Sequence, residues 1–161
     1  MASLPIEPAA MDVNRARAIA RRVHEADLEE DGTPLLRHIA RVVVRTPAEG
    51  RTVAWLHEAV ECATVTEREL LGYGLDEEEL RALRLLSRPT HSRTVQVYLA
   101  HIELIACAAG RSGHLAREVK VADLEDRRLN PRVRPDGWSP PYKLALRRLQ
   151  EARARRPSEH A

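Results

Sequence analysis

Aromatic residues are scarce in this sequence: it contains no phenylalanine, and aromatic side chains make up only 3% of its 161 residues. A hydrophobic core must therefore be built from leucine, valine, isoleucine and alanine, which favours helices over a β-sandwich. Hydrophobic residues still make up 43% of the chain, which is enough apolar material for one core. At this length we expect a single domain.

Cysteines and long apolar runs are also few. Cys62 and Cys107 cannot form a disulfide framework or a cysteine-rich zinc site, and the N-terminus has no signal-peptide pattern, so we expect a cytoplasmic protein. No apolar run approaches the roughly 20 residues that cross a bilayer, which predicts no membrane partner. The 26 basic and 24 acidic residues leave a net charge of +2, and this balance disfavours nucleic acid as a partner. Homo-oligomerisation stays open.

Helix-start signals recur along the sequence, as a capping residue followed three positions later by glutamate. This signature occurs at Thr46, Thr66 and Asp76, and Asp12 is an N-cap candidate for the first helix. We predict an all-α, single-domain bundle of about seven or eight helices. The predicted segments run from Asp12 to His24, from Pro34 through Val43, from Thr46 through Glu61, from Thr66 to Leu71, from Asp76 to Leu86, from Val95 to Ala109, from His114 to Leu124 and from Ser139 through Leu149.

Proline and glycine predict several boundaries of these segments. Thr33 is expected to cap the second helix, with Pro34 as its first residue. Gly110 and Gly113 are expected to stop the sixth helix. The predicted organisation is a loose leader over residues 1–11, a helical domain over 12–150 and a frayed tail over 151–161.

The segment from Val53 to Cys62 places ionisable side chains in an otherwise apolar helical run. Glu61 falls four residues after His57 and three after Glu58, so all three can point toward one edge of the helix. Burying such groups is costly unless something compensates for them, and a bound metal is one compensation. The alternative is that they lie at the border of the apolar face of the helix.

Two further polar residues have apolar neighbours in the sequence. His38 lies one turn into the second predicted helix, and Asp123 lies between Ala122 and Leu124. A hydrolytic metal site needs imidazole and carboxylate ligands from different helices, and these two residues could join the pair in the third helix. A core histidine and a helix-end carboxylate are the alternative interpretations.

The candidate residues occur in several segments whose order along the chain forms a motif. His24, Gly32, Pro34 and His38 are followed by Leu56–Cys62 (LHEAVEC) and then by Val119–Asp126 (VKVADLED). This order resembles the H...HD...D pattern of the HD superfamily of metal-dependent phosphohydrolases. It is most similar to the RelA/SpoT-type branch, which hydrolyses guanosine tetraphosphate and in which the later segments read LHDxVED and VKLADLxD. The resemblance covers roughly residues 15–130 and implies an HD-type helical bundle.

The resemblance also implies a chemistry, hydrolysis of a nucleotide or a related phosphate or pyrophosphate ester, alarmones included. The implied ligands of one divalent ion are His38, His57, Glu58 and Asp123. Two imidazoles and two carboxylates suit manganese first, with iron or another transition metal as alternatives. Glu61 would orient or deprotonate the attacking water. The implied substrate contacts are Lys120, Arg127 and His24.

Four features depart from the family pattern. Glu58 replaces an aspartate, Cys62 replaces the second acid of the family's acidic pair, and Arg127 replaces an asparagine. The loop Asp27–Asp31 is acidic where relatives carry basic or amide side chains, and it is expected to repel a pyrophosphate. A degenerate HD domain without turnover, serving as a nucleotide-binding or regulatory module, is therefore the second hypothesis. A basic helical nucleic-acid binder is the third.

Overall fold

The computed structural model describes residues 9–62, 64–88, 93–132, 134 and 136–155. Over these ranges the chain forms eight α-helices and no strand, which confirms the predicted all-α bundle. The helices are α1 (Val13–Val23), α2 (Leu35–Arg45), α3 (Arg51–Glu61), α4 (Glu67–Gly72), α5 (Glu77–Leu86), α6 (Val95–Cys107), α7 (Gly110–Leu129) and α8 (Tyr142–Arg155). None of the helices in the described part of the chain is long and apolar enough to cross a bilayer.

The longest helix, α7, lies at the centre of the bundle. It packs against α2, α3, α5, α6 and α8, so its apolar side chains are buried on more than one side. Helix α3 packs against α1, α2, α5 and α7, and its Val53, Ala54, Leu56 and Ala59 are fully buried. The packing of α2, α3 and α7 against one another brings together the three helices that carry the predicted metal ligands.

Two predicted capping boxes and the first predicted N-cap are confirmed. Thr66 pairs with Glu69 and Asp76 with Glu79 in reciprocal capping boxes, and the Asp12 side chain accepts a hydrogen bond from the Arg15 amide at 2.7 Å. Each cap satisfies backbone N–H groups that the first turn of a helix leaves without partners.

The predicted starts of the second and third helices are wrong by a few residues. The hydroxyl of Thr46 donates to the carbonyl of Val42 at 2.8 Å and so closes α2, while Ala48–Gly50 form a 3₁₀ turn before α3 begins. Pro34 is the N-cap of α2 and not its first residue. The backbone N–H and hydroxyl of Thr33 both bind the Asp31 carboxylate, so Thr33 does not cap the helix.

The prediction that Gly110 and Gly113 stop a helix is also wrong. Helix α6 already ends at Cys107, and both glycines lie in the first turn of α7. A Cβ atom on Gly113 would lie 2.2 Å from the Ala108 carbonyl oxygen. Glycine is therefore needed here because two helices join at a tight corner.

Parts of the predicted leader and tail pack into the fold. Met11 is buried, and its N–H donates to the Gly74 carbonyl at 2.8 Å. Helix α8 continues into the predicted tail as far as Arg155, because Ala152 is still buried against the core. The remainder of the predicted leader and tail, residues 1–8 and 156–161, lies outside the described residues.

Gly74→Ala is expected to destabilise the protein, whereas Gly72→Ala should not. Gly74 has φ +90°, and an added Cβ would lie 2.2 Å from the Ala9 carbonyl oxygen. The left-handed conformation alone costs a non-glycine residue roughly 1–2 kcal/mol, and the clash adds to this. Gly72 has no heavy atom within 4 Å of an added Cβ and lies in α4. Urea unfolding of both variants checks this, and equal free energies of unfolding would contradict it.

Candidate metal centre and adjoining cleft

Two buried histidines on different helices point their Nε2 atoms at one carboxylate. His38 lies on α2 and His57 on α3, and both Nε2 atoms are 3.7 Å from Glu58 Oε1. His38 Nδ1 donates to Asp126 Oδ2 at 2.8 Å, and His57 Nδ1 donates to the Ala54 carbonyl at 2.6 Å. When the ring is neutral with its proton on Nδ1, Nε2 presents a lone pair that can bind a metal ion. Without a metal, burial disfavours the charged ring of His38, but the neighbouring Asp123 and Asp126 outweigh burial and raise its pKa.

These lone pairs have no conventional partner in the described residues. His38 Nε2 and His57 Nε2 are both buried, and neither makes a hydrogen bond within the part of the chain that the structure describes. A buried polar atom without a partner costs about 1–3 kcal/mol. Two such acceptors beside a carboxylate form the donor set that a divalent metal ion satisfies.

The spacing of the three groups fits a single ion. One ligand atom each from His38, His57 and Glu58 can be chosen so that all three lie within 4.8 Å of one another. Ligands about 2.0–2.2 Å from a common ion lie about 3 Å apart at right angles and about 4 Å apart on opposite sides. The two distances from the imidazoles to Glu58 Oε1, both 3.7 Å, lie within this range.

Asp123, the fourth predicted ligand, lies beside this set of three residues. Its Oδ1 is 3.2 Å from His38 Nε2, but its Oδ2 accepts from Lys120 Nζ at 2.7 Å. Burial alone would raise the pKa of Asp123, but Lys120 and His38 outweigh it and hold that pKa well below its usual range. An ionised carboxylate thus adjoins the cluster, with one oxygen facing His38.

Asp126 orients His38 and was not singled out from the sequence as a functional residue. Its fully buried carboxylate accepts hydrogen bonds from Arg41 Nε at 2.7 Å and Asn130 Nδ2 at 3.1 Å, and Arg45 Nη1 lies at 3.2 Å. Burial opposes ionisation, but the hydrogen bonds from His38 and Arg41 lower the pKa of Asp126 to about 2. The available signal was its position three residues after Asp123, which places both on one face of α7.

Asp126→Asn is expected to weaken metal binding and to lower stability. Loss of an outer partner of a ligating histidine typically costs about 10–100-fold in metal affinity. The free energy of unfolding should fall by about 2 kcal/mol, because Arg41 and Arg45 lose their charged acceptor. Titration with Mn²⁺ and urea unfolding measure the two effects. The control is Glu103→Gln on an exposed side chain, and equal behaviour of the two variants would contradict the role given to Asp126.

A cleft of about 450 Å³, counting its open mouth, adjoins the cluster. Its charged lining residues are Glu58, Glu61, Asp123, Arg88, Lys120, Arg127, Arg132 and Arg134. Cations therefore outnumber carboxylates in the lining. Tyr98 also lines the cleft, and burial raises the pKa of its hydroxyl to about 12, so it is a hydrogen-bond donor at neutral pH.

The cleft contains three of the four other predicted site residues. Glu61 lies on its wall, where Glu61 Oε1 accepts from Arg88 Nε at 3.0 Å. Lys120 and Arg127 also line it. His24 is not among the lining residues: it is buried, and its Nδ1 lies 2.7 Å from Asp27 Oδ2.

The sequence reasoning missed Arg88, Arg132 and Arg134 as cleft residues. Arg132 and Arg134 follow α7 and lie outside every predicted helix. In the acidic loop before α2, Glu29 pairs with the cleft residue Arg127. The Glu29 side chain is only 6% exposed, and both its oxygens accept from Arg127 Nη1, at 2.7 and 3.0 Å.

Comparison with known proteins gives no family assignment for this chain. The sequence matches no protein family and no curated protein. The interpretation of the site therefore rests on the geometry of its own residues.

Proposed function

We propose that this protein binds one divalent transition metal ion through His38, His57 and Glu58, and that it is an HD-type phosphohydrolase. Its substrate would be a nucleotide or a related phosphate or pyrophosphate ester. The observation that carries the proposal is the pair of buried Nε2 atoms, each without a hydrogen-bond partner in the described residues and each 3.7 Å from the same carboxylate oxygen.

The donor chemistry suits manganese or iron. Two imidazole nitrogens and one or two carboxylate oxygens form a mixed set, with Asp123 as the candidate fourth ligand 3.2 Å from His38 Nε2. In the described part of the chain this set has no cysteine, and both Cys62 and Cys107 are exposed. A bound divalent ion would act as a Lewis acid toward a phosphoryl oxygen and would lower the pKa of water.

The cleft residues would supply the remaining functions. Glu61 is the candidate base for the attacking water, and its ion pair with Arg88 holds the carboxylate in place on the cleft wall. Lys120 and Arg127 would bind phosphoryl oxygens and stabilise the charge that develops on them. Tyr98 would donate a hydrogen bond from its hydroxyl, which is buried and has no partner within the described ranges.

A ligand-binding domain without turnover is the second candidate. Arg127 Nη2 and Arg132 Nη2 lie 3.7 and 3.8 Å from Glu58 Oε1, so two cations face the carboxylate that the metal would need. Their charges weaken the attraction of this site for a divalent cation. In both candidate functions the cleft binds an anion, but only the first function requires a metal.

Phosphate release from a panel of nucleotides, measured with and without Mn²⁺, tests the proposed reaction. We expect release that depends on Mn²⁺ and is lost in Glu58→Ala. Metal binding without turnover on any substrate would favour the second candidate. Release that is unaffected by Glu58→Ala would contradict the assigned site.

A further inference from the structure

Three arginines near the His38–His57–Glu58 cluster have guanidinium N–H donors without a hydrogen-bond acceptor in the described residues. The atoms are Arg127 Nη2, Arg132 Nε and Arg134 Nε, which are buried and make no hydrogen bond to any described residue. All three side chains line the same cleft. Unsatisfied buried donors cost about 1–3 kcal/mol each, and more when they are charged, so a purely structural role does not account for them.

The neighbouring carboxylates satisfy only part of this cluster. Glu29 Oε1 serves two guanidinium groups, with Arg127 Nη1 at 2.7 Å and Arg132 Nη2 at 3.3 Å. Among the described residues, the carboxylate that pairs with Arg134 Nε is Glu30 Oε2 at 3.8 Å, which is beyond hydrogen-bond distance. One shared carboxylate is thus the main anion for two of the three guanidinium groups.

The carboxylates of Glu58 and Asp123 do not supply the missing hydrogen-bond acceptors. Glu58 Oε1 lies 3.7 Å from Arg127 and 3.8 Å from Arg132, and Asp123 Oδ1 lies 3.7 Å from Arg127. These distances allow Coulomb attraction but no hydrogen bond. The donors therefore remain available to an external acceptor that has several oxygens.

We propose that Arg127, Arg132 and Arg134 form a subsite for a phosphate group, and that Glu29 competes with the ligand for this subsite from within the molecule. A phosphate group offers more acceptor oxygens than a carboxylate, and guanidinium groups bind it through paired N–H donors. If the protein is the proposed phosphohydrolase, its substrate would carry a second phosphate group besides the one at the His38–His57–Glu58 cluster. This consequence for the substrate rests on the proposed function. Binding of free phosphate does not depend on that function.

Glu29 lies on a hydrogen-bonded turn, in which its carbonyl accepts from the Gly32 N–H at 2.9 Å. Its N–H donates to the Thr33 carbonyl at 2.8 Å, and an isolated bridge joins Leu28 to Pro34. Leu28 itself is exposed, so the turn is not fixed by core packing at that position. Removing the Glu29 charge should free the arginines for an external anion.

Calorimetric titration of inorganic phosphate into metal-free protein tests the subsite. Glu29→Gln should bind phosphate about tenfold more tightly than the wild type, a change of about 1.4 kcal/mol. Arg134→Gln should bind at least about tenfold more weakly, and Arg134→Lys should recover only part of this because lysine lacks the planar fork. Arg148→Gln, on a partly exposed arginine outside the cleft lining, is the matched control and should bind as the wild type does.

Thermal unfolding provides a second measurement if Glu29→Gln folds too poorly for calorimetry. Loss of the Glu29 charge should lower the melting temperature, and phosphate should raise it more in this variant than in the wild type. Phosphate affinity that survives Arg134→Gln, or equal phosphate responses of Glu29→Gln and wild type, would overturn the proposal. These measurements use metal-free protein, so their results would be the same if the protein proved not to be a hydrolase.

Discussion

His57→Ala is expected to abolish stoichiometric binding of a divalent metal. His57 supplies one of two buried imidazoles in the cluster, and its Nδ1 is already fixed by the Ala54 carbonyl, so only Nε2 can serve as a ligand. Loss of an outer partner costs about 10–100-fold in affinity, and loss of a direct ligand should cost more than that. Titration of chelator-treated protein with Mn²⁺ measures the effect.

His114→Ala is the matched control for this substitution. His114 lies on the same bundle with its side chain about one-third exposed, and its Nε2 is 3.5 Å from Glu49, away from the cluster. The control should bind Mn²⁺ as the wild type does. Circular dichroism would establish that His57→Ala is folded. Undiminished metal binding by folded His57→Ala protein would exclude this cluster as the metal centre.

Glu61→Gln is expected to lower the rate of phosphate release while metal affinity stays nearly unchanged. Glutamine keeps the size of the side chain but cannot accept a proton, and general bases typically contribute about 10²–10⁴-fold to the rate. Glu61 is not part of the His38–His57–Glu58 cluster, so the metal should still bind. Single-turnover phosphate release and Mn²⁺ titration of the same preparation separate the two effects.

The ion pair between Glu61 and Arg88 requires a control of its own. Glu61→Gln also removes the charge that faces Arg88 Nε at 3.0 Å. Arg88→Gln breaks the same pair and leaves the carboxylate intact, so it should reduce the rate less than Glu61→Gln does. Equal losses in both variants would mean that the ion pair, and not proton transfer by Glu61, accounts for the effect.

The helical fold could be predicted because its signals are local. The capping boxes that begin at Thr66 and Asp76 form as the sequence indicates, since capping depends on residues only three positions apart. Thr46 begins the same sequence signature, but its hydroxyl donates to a carbonyl of the preceding helix and does not cap the next one. Gly113 marks a close approach of backbones that only the packed structure reveals.

The candidate site could be predicted only in part because its pairings are distant in the chain. His38 and Asp126 are 88 positions apart, and Glu29 and Arg127 are 98 apart, so neither contact has a local signature. The acidic loop was expected to repel phosphate on charge alone. The structure shows that Glu29 of this loop also pairs with Arg127, a contact that the charge of the loop alone does not predict.

The most direct test of the central claim is the anomalous diffraction of crystals grown or soaked with Mn²⁺. The account predicts one strong anomalous peak per chain, about 2.0–2.3 Å from both His38 Nε2 and His57 Nε2 and from a Glu58 carboxylate oxygen. No peak at this cluster under saturating Mn²⁺, or a peak bound only by residues elsewhere in the chain, would contradict it.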